Sequence, residues 1–228
     1  MNSPKEVSEQ TTERSPGQIE IRFAGERLVL TPERAAWWPA GETVFIADPH
    51  FGKAATFRAA AIPIPDATHE DLRALDRLMD RTGAAKLIVL GDLIHARRGR
   101  CETTFAAIDA WRRTHPDLRI QLVRGNHDVR AGRPPAAWSM EELDDGAALG
   151  PFTLSHYPDP RGRPTLAGHL HPKIRLDLGA DRVQLPCFLQ RQEVLILPAF
   201  TRFADHGLIR REPGDEIYAV TDEAVFRL

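Results

Sequence analysis

The sequence predicts an α/β fold: a first half of alternating strands and helices built on a parallel sheet, followed by a strand-rich second half. Three observations carry this. Apolar runs of strand length occur at Thr43–Ala47, Lys86–Leu90 and Ile120–Val123. Between them lie stretches with helical spacing, so the pattern is βαβαβ. After Pro151 the apolar segments become short, broken by Pro, Gly and charge, with no long helical pattern between them.

Each element has its own signal. Residues 1–18 are polar, contain Pro4, Pro16 and Gly17, follow neither period, and are expected to form a flexible tail ahead of one domain over 19–228. Residues 19–30 alternate apolar and polar side chains about Ala24–Gly25, the mark of a hairpin. The first helix has a capping candidate at Asp66, Leu72, Leu75 and Leu78 on one face, and a stop at Gly83. The second, over 101–116, aligns Phe105, Ile108 and Trp111 and ends before Pro116. Residues 152–157, 165–169, 173–178, 181–190 and 193–200 read as strands, and 217–228 as a closing hairpin.

Composition narrows the function. Hydrophobic residues make up 42% of the 228, enough for a sizeable core without disulfides. Lys and Arg number 30 against 32 Asp and Glu, for a net charge of -2, so any nucleic-acid contact must be local. Cys101 and Cys187 form no CxxC pair. That argues against a thiolate zinc site and fits a reducing compartment. There is no apolar leader and no run near the ~20 apolar residues of a membrane span, so the expected location is the cytoplasm.

The metal-capable side chains follow strand ends. Asp48 and His50 follow the first apolar run, Asp92 the second, and Asn126, His127 and Asp128 the third. His156 and the pair His169 and His171 follow two of the later strands. Carboxyl ends of parallel strands share one edge, where ligand sites form, so these stretches should converge. Two carboxylates, an amide oxygen and several imidazoles suit Mn²⁺, Fe or Zn²⁺. The donors are too many for one ion, and a pair of ions about 3.5–4 Å apart needs a shared ligand, for which Asp92, after Gly91, is the choice. Two divalent cations against two carboxylates leave a net positive centre that attracts phosphate. Hydrolysis of a phosphate ester by a metal-bridging hydroxide is the chemistry expected of it.

The ordered series DPH at 48–50, GD at 91–92, GNHD at 125–128, His156 and GHLH at 168–171 resembles the calcineurin-like metallophosphoesterases over roughly residues 40–205. The resemblance implies a single-domain, four-layer αββα sandwich with two divalent metal ions, Mn²⁺ or else Fe or Zn. One ion would lie on Asp48, His50, Asp92 and His171, the other on Asp92, Asn126, His156 and His169. His127 would serve the leaving oxygen, oriented by Asp128.

Further stretches, ADPHFGK at 47–53, GDLIH at 91–95, LAGHLHP at 166–172 and LPAFTRFADHG at 197–207, are similar to the ligase-associated DNA-damage-response endonucleases, the PdeM family. Pro49 departs from the aliphatic residue expected there. The family implies a DNA endonuclease acting in DNA repair beside a DNA ligase and a helicase.

Local charge is compatible with DNA. Arg97 to Arg133 hold nine Arg against four acids. Arg97 and Arg98 follow GDLIH and, with His95 and Arg161, are the substrate-binding candidates. Arg112 and Arg113 read as an exposed helix end, His69, His115 and His206 as ordinary surface histidines, Trp37 and Trp38 as packing, and Trp138 as a lid or a plug. Two other readings stay open: a small-molecule phosphoesterase acting on nucleotides or sugar nucleotides, and a non-catalytic scaffold.

Overall fold

The computed structural model describes residues 17–228 except Pro63, Pro65, Ala180, Asp205 and His206. The tail expected over 1–18 and His206 therefore lie almost wholly outside the described residues.

The first sheet has seven strands in chain order. β1 (Ile19–Phe23) and β2 (Glu26–Leu30) form the hairpin, and β3 (Ala36–Trp38) continues it antiparallel to β4 (Thr43–Ile46). β4, β5 (Lys86–Val89), β6 (Arg119–Val123) and β7 (Met140–Leu143) then run parallel. α1 (Lys53–Arg58), α2 (Thr68–Thr82), α3 (Glu102–Thr114) and α4 (Asn126–Ala131) lie in the connections.

The continuous apolar runs follow from burial on both faces. Val44, Ile46, Leu87 and Val89 face α2 and α3 and pack on Leu72, Leu75, Leu78, Ile108 and Trp111. Phe45, Ile88 and Leu90 point the other way, into the second sheet. Each near-fully buried leucine of α2 contributes about 2 kcal/mol. At the start of α2, Ala67 is the cap residue; Asp66 stands one residue earlier and accepts from Thr68 N at 3.0 Å.

The second sheet holds β8 (Ala147–Leu149), β9 (Phe152–Leu154), β10 (Thr165–Ala167), β12 (Asp181–Arg191), β13 (Val194–Ile196), β14 (Glu216–Val220) and β15 (Val225–Arg227). β11 (Lys173–Leu178) pairs with the first half of β12 as a ribbon. β9, β10 and β13 are parallel. Phe152, Leu154, Leu166, Phe188 and Leu195 of its inner face meet Phe45, Ile88 and Leu90 of the first sheet, closing the sandwich.

The sandwich has unequal outer layers. α2 and α3 cover the first sheet. Over the second sheet, Ala167, Cys187, Leu189, Val194 and Ile196 pack under Ile174 of the ribbon and Ile209, with no helix there among the described residues. None of the described helices is long and apolar enough to cross a membrane.

Tryptophans serve packing. Trp38 meets Phe152 edge-on at 5.1 Å. Trp138 is a fully buried plug whose indole N–H donates to Asp109 of α3. Arg112, expected at an exposed helix end, instead donates to the Trp138 carbonyl at 2.9 Å. The strand β7 gave no apolar signal because its central residues are Glu141 and Glu142. Gln121 donates to Glu141 at 2.7 Å, and Arg124 and Arg133 lie 3.7 and 3.5 Å from Glu142. Part of the arginine excess read from the sequence is thus balanced within the fold.

Candidate metal centre

Five loops meet at one edge of the sandwich: those after β4, β5, β6, β9 and β10. The first two continue the parallel pairing past the strand ends. Asp48 N donates to the Gly91 carbonyl at 3.1 Å, His50 N to Asp92 at 2.9 Å and Phe51 N to Leu93 at 2.9 Å. Asp48, His50, Asp92, His169 and His171 all have positive φ, between 46° and 72°. L-residues adopt that region reluctantly, and such strain gathers at functional sites. Five of the seven predicted ligands share it.

Asp48, Asp92 and His156 each spend one side-chain atom on the fold and turn another inward. Asp48 Oδ2 accepts from His169 N at 2.7 Å, whereas Oδ1 is buried without a hydrogen-bond partner. Asp92 Oδ1 accepts from His127 N at 2.8 Å. Its Oδ2 stands 3.6 Å from His156 Nε2 and 3.9 Å from both His50 Nε2 and His127 Nε2. His156 Nδ1 donates to the Leu90 carbonyl at 3.0 Å, so the neutral ring presents a lone pair at Nε2. That atom faces Asn126 Oδ1 and His169 Nδ1, each at 3.1 Å. Nε2 and Oδ1 are both acceptors at close range, a contact that a cation between them resolves.

Donor atoms gather into three groups that could hold an ion: Asp48 with His50 and His171, Asp92 with His156 and His169, and, without a carboxylate, His50 with His95 and His127. In the first, the Nε2 atoms of His50 and His171 are 3.2 Å apart. The orphaned Asp48 Oδ1 lies 3.7 Å from His171 Nε2.

Protonation states agree with cation binding. Burial, reinforced by the imidazoles of His171, His127 and His95 and by Lys53, holds the His50 pKa far below the histidine range, which keeps the ring neutral. Burial, aided by His156, also lowers His169. Burial pushes the Asp92 carboxyl up, against the pull of His156. A carboxylate so desolvated gains most from a cation beside it.

Glycines make this crowding possible. A Cβ on Gly91, whose φ is 92°, would fall 2.0 Å from His156 Nδ1, and one on Gly125 would fall 2.2 Å from Asp92 Oδ1. Gly91 thus admits the His156 ring to the backbone.

Three expectations change. The His127 ring is held by the His95 carbonyl, to which its Nδ1–H donates, and not by Asp128. The Asp128 carboxylate is turned away, accepting from Gly125 N at 3.0 Å and Ile94 N at 3.2 Å, where it caps α4 and locks the loops together. Arg161, a substrate-binding candidate in the sequence, is exposed but engaged within the fold: it is paired with Asp145 and lies 3.3 Å from Ser155 Oγ. Asp145 in turn accepts from Ser155 Oγ at 2.7 Å and His156 N at 3.2 Å.

Arg97 and Arg98 are exposed on a 3₁₀ turn, Arg97–Gly99, pinned where Gly99 abuts Gly52. His95 stacks on His127 at 5.0 Å, with its Nδ1 3.4 Å from His50 Nδ1. Sequence reading assigned no role to buried Lys53, the last residue of the ADPHFGK stretch, which faces the Phe203 carbonyl, or to Tyr157 beside His156.

Among solved structures, the Pseudomonas putida nuclease MPE superposes with a TM-score of 0.82 and 37% identity, over 92% of this chain and 100% of that one. The chain belongs to the metallophosphoesterase family. Yfce, a phosphoesterase from E. coli, matches at TM-score 0.42 and 14% identity over 82% of this chain and 97% of that one, too remote to carry an argument. No protein-family model matches this metallophosphoesterase, and no curated relative does.

Proposed function

We propose that this metallophosphoesterase is a DNA endonuclease that hydrolyses phosphodiester bonds with two divalent cations, Mn²⁺ foremost, in DNA repair. The observation that carries the reading is the position of Asp92 Oδ2, within 4 Å of an imidazole nitrogen from each donor group. One ion would be held by Asp48, His50, Asp92 and His171, the other by Asp92, Asn126, His156 and His169. When bound, the pair supplies Lewis acidity and an activated water. Oxygen and nitrogen donors without thiolate favour Mn²⁺ over softer ions. The kinship with a nuclease supports DNA as substrate. A DNA ligase and a helicase as partners, and a cytoplasmic location, rest on the resemblance of the sequence motifs.

The chain's own residues divide the remaining work. His127, with Nδ1–H fixed on the His95 carbonyl, turns Nε2 toward the centre. In its protonated form that atom donates to the departing oxygen. Arg97 and Arg98, exposed on the rim, offer forked donors to flanking phosphates.

The test is metal analysis of protein purified without added ions, followed by chelation and readdition of Mn²⁺. Single-stranded DNA, duplex DNA, mononucleotides and bis-p-nitrophenyl phosphate are the substrates. Cleavage within DNA that is abolished by chelation and restored by Mn²⁺ is expected; activity surviving exhaustive chelation would overturn the reading.

A further inference from the structure

Tyr157 follows His156 directly and has no part in the chemistry above. Its side chain is 37% exposed, yet the ring is set edge-on against two imidazoles, 4.9 Å from His156 and 4.7 Å from His169. Its carbonyl oxygen lies 2.8 Å from Ser155 Oγ, whose single hydroxyl proton is shared with Asp145, and this draws the loop together at Tyr157. An exposed aromatic ring on a fixed backbone loses little freedom when something stacks on it.

The ring is not alone. Leu170, 42% exposed, stands between His169 and His171, and Leu208, 47% exposed, adjoins the same loop. A Cβ on neighbouring Gly207 would lie 1.9 Å from the His171 carbonyl oxygen and 2.6 Å from that of Leu170. Exposed apolar side chains gathered at one place mark a contact surface. The opposite flank differs: His127 and His95 are stacked there, with Phe57 6.0 Å beyond and Arg97 and Arg98 on the rim.

A phosphodiester held across the centre has two substituents. The leaving one departs past His127, where a proton can reach it. For the retained one, the exposed aromatic surface beside the second donor group is the ring of Tyr157, set against His156 and His169. In a nucleic acid, the flat apolar part of that substituent is a base.

We propose that Tyr157, supported by Leu170, is a stacking platform for the base of the nucleotide retained next to the scissile phosphate, and so sets preference for nucleotide esters over simple ones. This rests on the DNA phosphodiesterase reading. Every base has a π-face, so the platform confers preference for a nucleotide without reading sequence.

The experiment compares two esters with the same leaving group, thymidine 5′-(p-nitrophenyl phosphate) and methyl p-nitrophenyl phosphate, on Mn²⁺-loaded full-length protein. Tyr157→Ala is expected to lower kcat/KM about 5- to 150-fold for the thymidine ester. The methyl ester and metal content should stay unchanged, and Tyr157→Phe should retain both activities. A second readout is binding of a 2-aminopurine oligonucleotide, whose fluorescence stacking quenches in the wild type and less so in Tyr157→Ala. Leu170→Ala, a truncation at an exposed position, repeats the comparison with a smaller selective loss and decides the matter if Tyr157→Ala does not fold.

Equal losses on both esters would show that the ring only braces the imidazoles. A wild type with no preference for the thymidine ester, or a variant that keeps that preference, would equally overturn the platform. If the wild type hydrolyses the methyl ester but neither DNA nor the thymidine ester, the DNA reading itself falls; if it cleaves DNA and only the selective loss is missing, the platform alone falls.

Discussion

The two sheets hold their share of the centre by different means. Loops of the first sheet are fastened by main-chain hydrogen bonds that prolong the β4–β5 ladder through Asp48, His50 and Phe51. The second sheet's His156 loop has main-chain bonds too, Ser155 N to the Leu166 carbonyl at 3.0 Å and Gly168 N to the His156 carbonyl at 3.1 Å. The side chain that braces it, however, is the exposed Asp145, bonded to Ser155 Oγ and His156 N, where the first sheet uses the buried Asp128. The donors divide the same way: Asp48, Asp92 and Asn126 stand on the first sheet, and the second contributes imidazoles alone. Negative charge is therefore built on the frame braced by a buried carboxylate, Asp128, and the neutral ligands of the second sheet on the one braced by an exposed carboxylate, Asp145.

The sharpest way to break this contrast is Asp92→Asn, because Asp92 is the charge nearest both groups. Removing one member of a buried charge cluster costs about 3–5 kcal/mol. Metal titration should accordingly show binding weakened about a hundred- to several-thousand-fold at both groups, with DNA cleavage lost. The metal-free variant should melt no lower than metal-free wild type, since burial already disfavours the Asp92 carboxylate. Retention of one tightly held ion would refute the bridging role.

His127→Ala belongs to the same first-sheet frame but removes no donor from the two carboxylate-bearing groups, so metal content should be kept. Turnover is expected to fall about 10²–10⁴-fold, the range for a proton-transfer group. A substrate with a good leaving group, such as bis-p-nitrophenyl phosphate, should lose much less. Loss of metal in this variant would move His127 among the ligands.

Sequence reading recovered what depends on type and order. Apolar run lengths marked β4, β5 and β6, and Leu72, Leu75 and Leu78 marked the buried face of α2. The polar residues after the strands marked the meeting point of the loops. It could not see which atom of a side chain faces which neighbour. The resemblance to the metallophosphoesterases puts Asp128 behind His127. The helical turn begun at Asn126 carries it to the other side, onto Gly125 N and Ile94 N. The oxygen that holds His127 is a main-chain carbonyl, invisible to any motif. Arg161 and Asp145 are 16 residues apart and meet only because β8 and β9 form a hairpin. β7 hid because an edge strand can be acidic.

Where the sheets are joined, Asp71 of α2 lies buried near Thr201 and Arg34, and Arg34 Nη1 donates to the Thr201 carbonyl at 2.7 Å. Burial pushes the Asp71 carboxyl up to about 7, against the hydrogen bond from Thr201 and the charge of Arg34. The folded state thus keeps a proton that the unfolded chain, with a carboxyl near 3.9, has released. Stability from this group is full below about pH 4 and is lost as pH rises through about 7. Asp71→Asn removes the dependence. Relative to wild type it should gain about 2–4 kcal/mol between pH 4 and 8 in denaturant melts, with activity at neutral pH unaltered. A flat difference across that range would show the carboxylate to be ionised and paired with Arg34.

The smallest effects test the side-chain fastening of the second sheet. Asp145→Ala leaves every donor in place but frees Ser155 Oγ and the His156 backbone, so the second metal group should weaken about 10-fold while the first keeps its affinity. Arg161→Ala removes the outer partner of Asp145, in a pair whose side chains are 32% and 38% exposed, and a longer 3.3 Å contact to Ser155 Oγ. Such a pair contributes at most about 1 kcal/mol, so the expected loss is about fivefold or less, shrinking further in high salt. Paired Mn²⁺ titrations of the two variants at low and high salt rank the contributions. A larger loss from Arg161→Ala than from Asp145→Ala would restore the arginine to the substrate or metal side of the loop, because a guanidinium bonded to Asp145 and, at 3.3 Å, to Ser155 Oγ adds little to what Asp145 itself holds.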